Sequence, residues 1–287
     1  MNRLDSKART AVISALVEGC SIRSTVRMTG VSKKCVMRLL VEAGAVASKF
    51  QDQMFRNLTC QRVQVDEMWA FIGAKQKNVT PALEAKGHAG DIWLWVAIDA
   101  DTKIVPCWML GGRNWQTAQT FIKDLKGRLA NRVQLTSDGL RWYLHAVNLH
   151  FQDDVDYAML QKIYGGSADE SGGGVRYSPA QCIGCKRKPM IGDPDPDHIS
   201  TSFAERQNLS VRMNIRRYTR LTNAFSRKIE NHAAAVALYY FSYNFVKIHR
   251  TLRTSPAMAA GVVDRLMEVS DLVAMLEADE RGLERAA

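Results

Sequence analysis

The sequence predicts an α/β protein: a mixed five-stranded sheet flanked by helices, with a small all-α unit ahead of it. Three observations carry that prediction. Residues 7–43 repeat their apolar side chains at helical spacing, the stretch from Cys60 to Leu110 switches to strand-like runs, and helix and strand patterns alternate from Trp115 to Leu160. With 46% hydrophobic and 24% charged residues over 287 positions, wholesale disorder is excluded. No apolar run approaches the ~18–20 residues that a membrane span needs. The start, Met1 to Lys7, lacks the apolar core of a signal peptide, so a soluble cytosolic chain is expected.

The elements follow in order. Lys7 to Glu18 carries Val12, Ile13, Leu16 and Val17 on one face and stops at Gly19. Ser21 can cap a second short helix to about Met28, and Thr29-Gly30-Val31 makes a tight turn. Ser32 caps a third helix through Val41, expected to end at Glu42-Ala43-Gly44. Two short helices across a glycine turn form a helix-turn-helix, whose second helix fits a DNA major groove. Lys33, Lys34 and Arg38 on that helix suit phosphates or base edges. A plain helical bundle has the same pattern.

Arg62 to Phe71 reads as a strand, Asp91 to Ile98 as a second buried on both faces, and Lys103 to Leu110 as a third. Asp99 and Asp101 suit the turn between the last two better than a metal. Trp115, Ala118, Ile122, Leu125 and Leu129 share one helical face. Arg132 to Thr136 is a fourth strand, a helix with Trp142, Leu144 and Val147 follows, and Asp154 to Leu160 supplies a fifth strand. Glycines and prolines crowd 164–199, which therefore reads as a long loop. Helices are predicted from about Phe203 to Arg216 and from Ser226 to Val246. This gives three parts: 1–48, 60–250 and a helical tail over 251–287.

Charge is unevenly placed. Residues 1–50 hold 9 Lys and Arg against 3 acids, 51–199 hold 17 against 17, and 200–253 hold 10 against 2. Two basic islands around a neutral middle suit a polyanion. The tail 254–287 reverses the sign, with 3 basic and 7 acidic residues. Its stripe of Leu266, Val269, Leu272, Val273 and Leu276 fits a docked amphipathic helix, or a partner's.

Asp66 within the first strand, Asp138 after the fourth and Glu205 near a helix start stand at structural transitions. If the first and fourth strands are neighbours, these three acids can converge. Clustered carboxylates repel one another unless cations lie among them, and oxygen-only ligation suits Mg²⁺ or Mn²⁺. Two such ions can stabilise the attacking and leaving oxygens of a displacement at phosphorus. Glu67 follows Asp66 directly, and strand alternation sends it to the opposite face, outside the site.

Val65-Asp66-Glu67-Met68-Trp69, Ser137-Asp138-Gly139, Phe203 to Leu209, Arg220 to Ser226 and Tyr243 to Arg250 together resemble the signatures of insertion-sequence-one-type DDE transposases. The resemblance runs in order from about Asp66 to Val262. It implies an RNase H-like core, with Asp66, Asp138 and Glu205 as catalytic, metal-binding residues and two Mg²⁺ or Mn²⁺ ions per site. By analogy Asp66 bridges both ions while Asp138 and Glu205 each hold one. It further implies a bacterial, nucleoid-associated enzyme that binds terminal inverted repeats and target DNA as a homodimer or higher oligomer, cutting and joining strands. A non-catalytic DNA-binding regulator and a nuclease of the same fold are the alternatives. Longer members of that family carry a cysteine-rich zinc motif ahead of the helix-turn-helix. Cys20, Cys35 and Cys60 are wrongly spaced for one, so no zinc is expected.

Other DNA-contact candidates are graded by position. Asn208, Arg212 and Arg216 follow Glu205 at helical intervals and can track a DNA backbone, with Arg217 and Arg220 extending the field. Lys186, Arg187 and Lys188 adjoin a lone Cys182-Ile183-Gly184-Cys185 that reads as two free thiols in a turn. His249 and Arg250, ending an aromatic helix, suit DNA contact or helix-dipole capping equally.

Overall fold

The fold is seen in a computed structural model that describes residues 4–85, 87, 89–164, 182–219 and 222–286. Three helices come first: α1 (Ser6–Val17), α2 (Ile22–Thr29) and α3 (Lys33–Met54). Asp5, Ser21 and Ser32 cap them, each side chain accepting from the backbone N–H three residues on. Gly30, left-handed at φ 69°, turns the chain from α2 into α3. The predicted stop at Glu42–Gly44 is absent, and α3 continues to Met54. Gly44 serves packing instead. A Cβ there would lie 2.6 Å from the Cα of Ala234, so the helix over Ile229–Phe241 meets α3 backbone to backbone.

The sheet is built from β1 (Arg62–Ile72), β2 (Gly90–Asp99), β3 (Cys107–Gly111), β4 (Gln134–Ser137), β5 (Asp156–Tyr164) and β6 (Cys182–Ile191), in the order β3-β2-β1-β4-β5-β6. β1 pairs in parallel with β4 and β4 with β5; the other neighbours are antiparallel. A short α4 (Pro81–Glu84) precedes β2, while α5 (Trp115–Lys126) and α6 (Arg141–Phe151) flank β4 in sequence. Then come α7 (Ser202–Asn214), α8 (Ile229–Phe241), α9 (Pro256–Ala259) and α10 (Val269–Ala286).

The sheet thus has six strands, not five. β6 lies within the segment read as a loop, because nearly all its residues are exposed and it shows no alternation. It is an edge strand, where Pro189 and three consecutive cations are tolerated and discourage pairing with another chain. The glycine runs at 165–166 and 172–174 and Pro179 lie outside the described residues.

Alternation along β1 divides the interior. Val63 and Val65 face α5 and α6, where Trp95, Phe121 and Tyr143 pack. Met68, Ala70 and Ile72 face α7 and α8, against Val211, Val236 and Tyr240. The first core also takes in Val12, Leu40 and Phe55, so the N-terminal helices and the sheet share one interior. The boundary expected near residue 48 falls inside α3. Behind α8 a π turn (Ser242–Val246) buries Asn244, whose amide bonds both the N–H and the carbonyl of Val105.

The acidic tail docks on the basic N-terminal part. Leu272, Val273 and Leu276 are buried, while Glu280 pairs with Arg9 at 3.1 Å and Asp279 with Lys49 at 3.2 Å. No described helix is long and apolar enough to cross a membrane.

Candidate active site

β1 and β4 pair only from Arg62–Gln64 to Gln134–Thr136. Beyond Gln64 the strands part, and the sheet opens where Asp66 and Glu67 leave β1 and Asp138 follows β4. The turn at Asp138 is fixed by its Oδ1, which accepts the N–H of Leu140 at 2.9 Å. Glu205 comes from the first turn of α7. That helix start is tied to β1 by buried Gln64, whose Oε1 accepts from Phe203 N at 2.8 Å and Ala204 N at 3.2 Å. Gln64 replaces the missing side-chain cap and sets Glu205 across from Asp66.

Asp66, Asp138 and Glu205 therefore line one open cleft of about 680 Å³, with Arg113, Lys162 and Thr201 beside them. Carboxylate oxygens of Asp66, Glu67 and Asp138 lie within 4.8 Å of one another. Asp66 Oδ1 accepts the N–H of Glu67 at 2.9 Å, and its Oδ2 accepts from Asn208 Nδ2 at 2.8 Å. Burial, then the charges of Glu67 and Asp138, push the Asp66 carboxyl up to about 7. Burial likewise raises Glu67 and Asp138. Oxygen donors crowded so closely that one resists ionising fit a hard divalent cation. Asp66 and Asp138 are the residues best placed to hold it; Glu205 lines the far wall of the cleft but is not among the acids that meet within 4.8 Å.

Glu67 corrects the expectation that it lies outside the site. Alternation does send it towards α6, where its buried carboxylate takes Arg113 Nε at 2.7 Å and the Tyr143 hydroxyl at 3.0 Å. Its oxygens still reach those of Asp66 and Asp138, because at the parted strands no neighbour separates the two faces. Arg113 also approaches Asp138 at 3.9 Å and lies over the Trp93 ring. On the opposite wall Lys162 meets Glu205 Oε2 at 2.5 Å, and Thr201 Oγ1 donates to its Oε1 at 2.5 Å. Sequence reading found none of Gln64, Arg113, Lys162 or Thr201. Each is a single polar residue without a motif, and only the sheet brings it to the acids.

The DNA-contact candidates divide. Lys33, Lys34 and Arg38 are exposed at the start of α3, Arg38 within 3.7 Å of Glu42. Lys186, Arg187 and Lys188 are exposed on β6, Lys188 donating to Gln161. Asn208 is buried in the site rather than part of a stripe outside it. Because α7 ends at Asn214, Arg216 and Arg217 leave the line begun by Arg212 and occupy a separate turn (Arg216–Tyr218). Arg216 is exposed. Arg217 turns inward, donating to Ser226 Oγ at 3.0 Å beside buried His232, and burial pushes its pKa down to about 10. Arg220 lies outside the described residues. His249 and exposed Arg250 sit in a turn beyond the α8 helix, with His249 Nδ1 3.1 Å from the Thr251 hydroxyl. Cys182 and Cys185 are free, exposed thiols on β6.

No protein-family profile matches this chain, and no curated protein matches it. Among solved structures it overlaps with the cryo-EM structure of a piggyBac transposase synaptic complex with hairpin DNA. The overlap has a TM-score of 0.42 at 11% identity and spans 96% of this chain and 70% of that one. So remote a likeness assigns no activity, which has to be argued from the cleft itself.

Proposed function

We propose that the protein is a metal-dependent DNA transposase with an RNase H-like core, of the insertion-sequence-one type. The single observation behind this reading is that acids 72 and 67 residues apart in the chain, Asp66, Asp138 and Glu205, line one cleft. The mixed sheet, with β1 parallel to β4 and β4 to β5, is compatible with that core. Mg²⁺ or Mn²⁺, two ions when fully loaded, would supply Lewis-acid activation of a water and stabilisation of the leaving oxygen. Asp66, Asp138 and Glu205 would hold them. The water oxygen then bonds to phosphorus as the P–O3′ bond breaks, leaving a 3′-hydroxyl and a 5′-phosphate. In the joining step that 3′-oxygen attacks a target phosphorus, its proton passes to solvent, and the target's own 3′-oxygen departs. No side chain forms a covalent intermediate; the protein's part is alignment and charge.

Lys33, Lys34 and Arg38 at the start of α3 are the proposed grip on inverted repeats, with Lys186–Lys188, Arg216 and Arg250 as further phosphate contacts. A homodimer or larger assembly on DNA, in a bacterial nucleoid, belongs to the same reading. Asp66→Asn, Asp138→Asn and Glu205→Gln should each cut Mg²⁺-dependent cleavage by about a thousandfold or more, since several kcal/mol of charge stabilisation are lost. Gel-shift binding of the same duplex should stay near wild type. Cleavage surviving in any variant would refute the site. DNA binding by wild type without cleavage would instead make the chain a regulator, and cutting of pre-nicked ends without joining would make it a nuclease.

A further inference from the structure

The two ends of the cleft are not equivalent. Asp66 accepts one hydrogen bond on each oxygen, and Asp138 Oδ2 has Arg113 at 3.9 Å, with the Lys162 charge acting on the same carboxylate. Glu205 is closed: Lys162 holds one oxygen and Thr201 the other, both at 2.5 Å. Four acids, Asp66, Glu67, Asp138 and Glu205, meet two cations, Arg113 and Lys162. Once all four are ionised, as metal ligation requires, the excess is two negative charges, which one divalent ion balances. Arg113 donates one hydrogen bond to buried Glu67 and lies over the Trp93 ring, so it stays. Lys162 projects from β5 on a flexible stem, its side chain about one-third exposed towards the cleft. An ammonium is a point charge that a phosphate oxygen can recruit from a carboxylate.

Resting on the functional reading above, the geometry points to Lys162 as a substrate-released latch on the second metal site. Without DNA the cleft takes one divalent ion, between Asp66 and Asp138. A phosphodiester entering the cleft draws the Lys162 ammonium off Glu205, and the freed carboxylate, with Asp66, admits the second ion. Full loading then requires the scissile strand, so Lys162 is a positioning residue that keeps an unloaded site from acting on water alone. The repulsion is ample: at an effective dielectric of about 20, an ammonium within about 4 Å of a dication weakens its binding more than tenfold.

Mn²⁺ binding to the full-length chain, followed by calorimetry and by the electron-spin-resonance signal of free Mn²⁺, tests this without reading activity. Wild type without DNA should bind one Mn²⁺, with any second at least about tenfold weaker. Lys162→Gln should bind two without DNA, Lys162→Arg one, and the double variant K162Q/E205Q one. With a short duplex present, wild type should hold one more Mn²⁺ than Glu205→Gln under identical conditions, which subtracts ions bound by the DNA. Two equal sites in DNA-free wild type, or no gain in Lys162→Gln, would overturn the latch and leave the metal site standing. Failure of wild type to bind any Mn²⁺ that Asp66→Asn does not also bind would remove the functional reading as well.

Discussion

Asp66 is the residue on which the cleft's electrostatics converge. Its folded pKa, pushed up to about 7, lies far above the ordinary carboxylate value, so the fold prefers it protonated. The stability it contributes is complete below about pH 4 and drains away as pH rises through about 7. Asp66→Asn removes a charge that the apo fold accommodates poorly, while its amide can still meet Asn208. In EDTA the variant should melt several degrees above wild type at pH 8, and the gap should close at pH 4. Equal melting points at pH 8 would contradict the burial of this carboxyl. The same charge balance links metal to protons: Mn²⁺ uptake should release protons near pH 7 and weaken as the pH falls to 5, as calorimetry in buffers of different ionisation heat would read. That Asp66, Asp138 and Glu205 share one cleft was expected from the motifs around them. Glu67 was misjudged because alternation describes a strand flanked on both sides, and β1 loses its β4 neighbour after Gln64. Gln64, Arg113 and Lys162 had no local signature, since each owes its role to a partner at least 43 residues away in sequence, as Lys162 does to Glu205.

Among the elements, α3 and β6 departed furthest from expectation, for opposite reasons. Gly44 after Glu42 and Ala43 looks like a helix end, because glycine is the cheapest residue beyond a C-terminus. In the structure it is a notch for Ala234 of α8. Gly44→Ala would gain about 1 kcal/mol of helix propensity on an exposed face. Here the added Cβ meets backbone atoms at 2.6 Å and 2.9 Å, which cannot rotate aside. Overpacking of about 1–3 kcal/mol should win, lowering the urea midpoint, whereas a raised midpoint would mean that α3 and α8 are not in backbone contact. β6 escaped notice because strand patterns report a buried face, and this strand has none. The long elements β1, β2, α5 and α6 were placed within a few residues, since their burial is written into local apolar runs and helical spacing.

At the scale of the whole molecule, the continuous core from Val12 through Phe55 to Tyr143 makes the N-terminal helices part of the same cooperative unit as the sheet. Calorimetry should show a single unfolding transition, with van 't Hoff and calorimetric enthalpies agreeing. Two resolved peaks would restore an independent N-terminal domain. The sequence suggested such a domain from its charge and short helices, but the joint between parts depends on contacts between α3 and α8 that lie some 190 residues apart, as Gly44 and Ala234 do.

The unbroken α3 has a mechanical corollary. Its 22 residues make a rod of about 33 Å at 1.5 Å per residue, with Lys33 and Lys34 at one tip and its shaft bolted to α8. A duplex clasped at that tip would stand at a set reach from the carboxylates, as between the jaws of a caliper. On the proposed function, the interval between the bases gripped and the bond severed would then be gauged by the rod, and lengthening the strand-entry segment after Met54 would leave the cutting position unchanged.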